Sequence, residues 1–308
     1  MLLWLLGCGT EAGLGKVEEA AMPSPYEAPE RGELPDPLTV EEIEAAIPEA
    51  MGAIFAADPR MLFYAQADML REEGEGCPIY DDYYFEYYGR HFWEGDCVSE
   101  TGARINGWSD YLRLIDTVYN GVQLDDYGTF IGDATYQRTD GQSYYMAGSA
   151  LMNDLDYDSY HYWRAFFAGT YVWEGADWGD TWLGAGLDYY VNIDAYAYDY
   201  GARRLWMDGG VGGLSGLVNT VDMVDVLWYD ELYGATCWQE PGGTIALRDG
   251  AGRWYEVVFH GHTEDGAGVF PPLCDGCGDV YVDGNPYGTV CPDFTALFSW
   301  GAEGPWGE

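Results

Sequence analysis

Few residues in this chain have the types and spacing that chemistry demands. His260-Gly261-His262-Thr263-Glu264 places two imidazoles and a carboxylate at alternate positions. On a strand all three would face one way, a donor set suited to a transition metal. The chain has only four histidines, and Thr263-Glu264-Asp265-Gly266 reads as the start of a turn that breaks the alternation. The expectation is surface histidines at a strand end, without metal or other cofactor; His260, His262 and Glu264 are the ligands a continued strand would offer. Asn153-Asp154-Leu155-Asp156-Tyr157-Asp158 spaces its carboxylates like a calcium loop. It lacks the sixth-position glycine, and counted from Asp154 the twelfth residue is Ala165, where a bidentate Glu is needed. A carboxylate-rich hairpin tip is the expected structure.

Other motifs narrow the field further. Met207-Asp208-Gly209-Gly210-Val211-Gly212-Gly213 has glycine spacing like a phosphate loop but no Gly-Lys-Ser/Thr ending and no following helix, so it reads as strand or bulge. Glycoside hydrolysis needs two suitably separated carboxylates, and 53 acidic residues guarantee such a pair somewhere, so acid spacing carries no information. There is no Gly-x-Ser-x-Gly elbow and no His-Glu-x-x-His helix. Cys274-x-x-Cys277 has the spacing of zinc ligands, with Cys237 or Cys291 to complete the set, and also of a redox pair. A structural zinc site normally shows two such close pairs, and a redox motif opens a helix in a βαβ unit; this one lies in a glycine-rich hairpin context.

The elements that would carry these residues are mostly strands. Residues 142–200 alternate aromatic and small side chains: in Leu187 to Tyr198 the odd positions are Leu, Tyr, Val, Ile, Ala and Ala, and the even ones Asp, Tyr, Asn, Asp, Tyr and Tyr. In Ser159 to Trp173, Trp163, Ala165, Phe167 and Tyr171 share one face, with Tyr160, Tyr162, Phe166 and Val172 on the other. From Cys77 onward the period is two, and Asp-Gly turn signals at 140, 249, 265, 275 and 283 separate the runs. No helical patterns lie between the strands, which excludes a parallel α/β sheet. The expected fold is mainly β, an antiparallel meander forming an open sheet, sandwich or partial barrel over residues 75–308. Residues 39–74 read as a helical hairpin packed on it. Thr39-Val40-Glu41-Glu42 is a capping box, Val40, Ile43, Ile47, Met51, Ile54 and Phe55 form one stripe, Pro48 should kink or split the helix, and Asp58-Pro59 restarts it as far as Gly74.

Charge sets the class of partner. The chain has 53 acidic and 13 basic residues, a net charge of −40, and Lys16 is its one lysine. Binding a phosphate backbone relies on Lys and Arg displacing counterions, so nucleic-acid partners are excluded. Solvation is the role expected for most of the acids. Residues 9–38 carry five prolines among Glu, Gly and Ala and read as an extended linker, with a reach of about 30 Å if flexible.

The start, Leu5-Leu6-Gly7-Cys8, resembles the lipobox of bacterial lipoproteins, and residues 1–8 then form the end of a signal with its lipidation site. The resemblance implies lipid on Cys8, a membrane partner, and a place in the bacterial cell envelope, at the outer membrane or cell surface. The apolar run is shorter than a signal peptide's usual 7–15 residues, so the reading frame is expected to begin upstream. Cys274-Asp275-Gly276-Cys277-Gly278, Tyr287 to Phe294 and the ending Pro305-Trp306 resemble the endings of uncharacterised acidic bacterial surface lipoproteins. In that compartment Cys77, Cys97, Cys237, Cys274, Cys277 and Cys291 read as three disulfides. A hairpin centred on Gly284 sets Cys277 opposite Cys291, leaving Cys77 with Cys97 and, by elimination, Cys237 with Cys274. A two-residue Asp283-Gly284 turn would instead put Val290 opposite Cys277 and favour Cys274 with Cys291. The function expected is non-enzymatic, a structural or binding surface lipoprotein whose 27 Tyr and 13 Trp supply stacking surface for carbohydrate or a surface protein. The alternative is a surface or secreted hydrolase acting on polysaccharide through a carboxylate pair.

Overall fold

A computed structural model describes residues 35–55, 77, 79–85, 88–119, 121–141, 143–157, 159–174, 187–198, 203–230, 240–261 and 275–298. Helix α1 (Val40–Phe55) leads thirteen strands: β1 (Ile79–Phe85), β2 (Tyr88–Val98), β3 (Arg104–Tyr119), β4 (Val122–Gln137), β5 (Ser143–Tyr157), β6 (Tyr160–Glu174), β7 (Leu187–Tyr198), β8 (Arg203–Gly212), β9 (Val218–Asp230), β10 (Gly242–Asp249), β11 (Trp254–His260), β12 (Gly278–Val282) and β13 (Asn285–Val290). All thirteen form one antiparallel sheet in chain order, an open meander and not a closed barrel.

The period-two pattern fixes which face is dry. Inward residues Ile105, Ala134, Ala150, Trp163, Ala165, Val191, Ile193, Leu205, Val221, Ile245 and Val257 join α1 in one apolar cluster. Where β5 and β6 cross, Gly148 and Gly169 stand opposite one another with φ of 142° and 137°. A Cβ on Gly148 would meet the Ala168 carbonyl oxygen and lie 2.7 Å from Gly169 Cα, so only paired glycines allow the strands this close an approach.

Helix α1 opens as its capping box dictates. The Glu42 amide donates to Thr39 Oγ1 (3.2 Å) and the Thr39 amide to Glu42 Oε2 (2.8 Å). Ile43, Ala46, Ile47, Ala50, Met51 and Ile54 are buried, each large side chain contributing on the order of 2 kcal/mol. Pro48 does not split the helix, which is a single element through it; packing of the buried stripe outweighs one missing amide donor. The second half of the expected helical hairpin, from Asp58 to Gly74, lies outside the described residues, as do Cys8 and the linker up to residue 34.

The helix rests against β9, β13 and a short turn at Thr295–Phe298. Its start is pinned by polar contacts with the far end of the chain. The Leu38 amide donates to the Tyr255 hydroxyl (2.9 Å), which donates to Asp249 Oδ2 (2.8 Å), and the Tyr287 hydroxyl donates to the Leu38 carbonyl (2.9 Å). On the outermost strand, Pro286 has no amide to expose, and just past its end the Cys291 amide donates to Glu44 Oε2 (2.8 Å).

Disulfides join Cys77 to Cys97, with Cα atoms 6.0 Å apart, and Cys277 to Cys291, with Cα atoms 4.0 Å apart. The second forms by a route that differs from the expected register. Val282 pairs with Asn285, so the turn is the two-residue Asp283-Gly284, both with positive φ as a type I′ turn requires. Tyr281 pairs with Pro286 but Val280 with Gly288, leaving Tyr287 as a bulge. That extra residue restores the register, and Cys277 and Cys291 fall opposite each other just beyond Gly278 and Val290. Bonded in this way, neither sulfur is available to zinc. Cys237 and Cys274 lie outside the described residues.

Candidate functional site

The β5–β6 hairpin has a wet face and a dry face, and each carries a cluster. Tyr157 pairs with Tyr160 across its turn. On the side away from the core, Tyr157 stacks on Tyr160 (ring centroids 4.6 Å apart), Tyr160 approaches Tyr196 (5.8 Å), Tyr196 lies beside Tyr162 (4.6 Å), and Phe166 meets Tyr190 edge to face (6.1 Å). These rings come from alternate positions of neighbouring strands, so they form a ladder along the strand direction. From Tyr160 to the level of Tyr190, which pairs with Ala168, it is about 27 Å long.

Polar groups are set among the rings. The Tyr162 hydroxyl donates to Asp194 Oδ1 (2.9 Å), Arg164 Nε lies 3.6 Å from the same oxygen, and the Arg204 guanidinium sits over Tyr196 at 5.3 Å. Burial, then the Asp194 charge, pushes the hydroxyls of Tyr162 and Tyr196 above the usual phenol value, so both stay protonated donors. Tyr190, 64% exposed, pairs with Gly210, and Gly210 with Asp222. With no side chain at Gly210, the Asp222 carboxylate lies over it, its Oδ1 3.1 Å from where a Cβ would stand. Burial, then the nearby Asp208 carboxylate, raises the pKa of Asp222.

The core side of the same hairpin holds a compact acid and base cluster. Asp154 on β5 stands opposite Trp163 on β6, and His161, two residues before Trp163, stands opposite Asp156. The His161 ring stacks flat on the indole of Trp163, 4.2 Å away and inclined by 10°, and that indole is buried. His161 Nε2 hydrogen-bonds Asp154 Oδ1 and lies 3.8 Å from Asp125 Oδ2. Asp125 is the residue skipped where the β4–β5 register shifts between Leu124 and Asp126. Burial opposes the charge on His161, yet Asp154, through its hydrogen bond and charge, with Asp125 and Asp156, outweighs it and holds the pKa above the imidazole norm. Burial raises the pKa of Asp125.

The residues singled out in the sequence fall elsewhere. His260 ends β11 with its side chain exposed and 3.9 Å from Asp279 Oδ2, the expected surface histidine at a strand end. His262 and Glu264 lie outside the described residues. The His260 amide, with those of Asp275 and Gly276, is bound by the carboxylate of Glu240, which burial pushes up in pKa against those three donors. Glu240 thereby ties the end of β11 to the approach to β12. Met207–Gly212 lies in β8 beside a β9 bulge at Val224 and Asp225, as strand-or-bulge implied. Asp154 and Asp156 do belong to a hairpin tip, and the structure adds Asp125 and His161 beside them. The available signal was the Asp158-Ser159 turn, whose reflection brings residue 154 opposite residue 163. No protein-family model, curated protein or solved structure matches the chain.

Proposed function

We propose that this protein is a non-enzymatic envelope lipoprotein, anchored through lipid on Cys8, that binds neutral polysaccharide along the aromatic ladder of its outer face. The observation that carries the reading is the ladder itself: six rings on one face of β5–β7, with Tyr190 among the most exposed large side chains of the described residues. Sugar rings present apolar C–H faces that stack on aromatics, and the hydroxyls beside them find a donor in Arg164 and acceptors in Asp194 and the Tyr162 oxygen. A charge of −40 disfavours anionic glycans, which is why a neutral ligand is specified.

Affinity electrophoresis in gels containing soluble β-glucan, mannan or glycol chitin tests it. Wild-type protein is expected to be retarded in at least one gel, with Tyr190→Ala and Tyr196→Ala each weakening binding by roughly 3–10-fold. Equal retardation of wild type and both variants would overturn the ladder as the binding surface. Lipid on Cys8 would appear as an acylated N-terminal peptide in the mass spectrum of membrane-fraction protein.

The hydrolase reading has one specific support, the raised carboxyl of Asp222 beside Asp208, across Gly210 from exposed Tyr190. On that reading Asp222 is the general acid and Asp208 its partner. Release of reducing ends from a glycan retarded by the protein, lost in Asp222→Asn, would replace binding by catalysis.

A further inference from the structure

The acid and base cluster on the core side of the β5–β6 hairpin has no part in the glycan surface, which occupies the opposite face. We propose that Asp125, Asp154 and His161 form a binding site for one divalent transition-metal cation, of the zinc, manganese or cobalt kind. Their donor atoms all lie within 4.8 Å of one another. Ligand atoms that share a cation with bonds of about 2.0–2.2 Å must stand roughly 3–4 Å apart, so little movement is needed to seat an ion.

Three features of the backbone build this convergence. The bulge at Asp125 breaks the β4–β5 register and re-aims that side chain, a known use of bulges beside functional sites. Strand β5 supplies Asp154 from a position facing buried Trp163, and its carboxylate is only 16% exposed. Strand β6 supplies His161, whose ring is held flat against the Trp163 indole with Nε2 toward both carboxylates. Each ligand therefore comes from a different strand, and the imidazole is oriented before any ion arrives.

Charge argues for an ion beyond the internal pair. Two carboxylates, Asp125 and Asp154, converge here, and Asp156, opposite His161 in the register, adds a third. A divalent cation offsets more of this charge than a proton on the imidazole does. The nitrogen ligand selects the class, because calcium and magnesium take oxygen donors while imidazole with carboxylates suits first-row transition metals. The site would clamp β4, β5 and β6 together near the hairpin end.

The test uses the full chain in about 0.5 M NaCl, where screening suppresses diffuse attraction to the acidic surface. Titration with Zn2+ by calorimetry, and with Co2+ by visible absorption, is expected to show one saturable equivalent. His161→Ala and Asp154→Asn should each weaken it by roughly tenfold or more, with His260→Ala unchanged. Circular dichroism checks the folding of each variant. In the wild-type protein, which needs no variant to fold, Zn2+ should slow C2-hydrogen exchange at His161 and leave His260 unaffected. The proposal is overturned by absence of saturable binding, by equal affinity for Ca2+ and Zn2+, by wild-type affinity in His161→Ala, or by unchanged exchange at His161.

Discussion

At the scale of single residues, His161 links stability to pH. Its pKa is raised in the folded chain, by Asp154 and Asp156 of β5 and Asp125 of β4, against burial beside Trp163. A raised basic group gives stability that is fully present below the unfolded value of 6.5 and is lost as pH climbs through the folded value. In chelator-containing buffer, the melting temperature of wild type minus that of His161→Gln should therefore shrink between pH 6 and pH 9. A difference that stays constant across that range would show that the ion pair is not formed. Asp125, raised from 3.8, acts at more acid pH. Much of this cluster was hidden in the sequence for a physical reason. Alternation shows which residues share a face of one strand, but meeting across strands depends on a turn centre and, for Asp125, on a bulge that leaves no periodic trace.

At the scale of elements, local rules were legible and their small exceptions were not. The capping box at Thr39, the buried stripe of α1 and the Asp283-Gly284 turn follow from residue types with definite backbone preferences. The bulge at Tyr287 does not, because it is set by how β13 fits between β12 and the helix. Its role gives a sharp expectation. Inserting one alanine between Gly288 and Thr289, past the bulge, should set Val290 opposite Cys277 and carry Cys291 past its partner. Non-reducing peptide mapping should then lose the Cys277–Cys291 link, and stability should fall by about 3 kcal/mol, the usual worth of a disulfide closing a loop of this size. An insertion variant that keeps the link would show that the register past the bulge is not what aligns the two cysteines.

For the whole molecule, a net charge of −40 is a self-repulsion that the core must overcome. The melting temperature should rise with NaCl from about 10 mM and level off near 0.5 M, where the screening length falls to a few ångströms. A flat response would mean that the acids are already locally compensated. The antiparallel meander could be read from alternation and Asp-Gly turns, but the choice among open sheet, sandwich and partial barrel could not, since it turns on side chains far apart in sequence. The observed order, each strand beside its predecessor, bears on how the chain assembles. Each new strand finds its template in the segment made just before it, so loops to be closed are short and the sheet can grow in the direction of synthesis. Helix α1 is the exception, because Tyr255, Tyr287 and Cys291, which fasten its start and its Glu44, belong to the far end of the chain. Of the described elements the first to be made is thus the last to dock, and until β13 arrives its apolar stripe waits without its full seat.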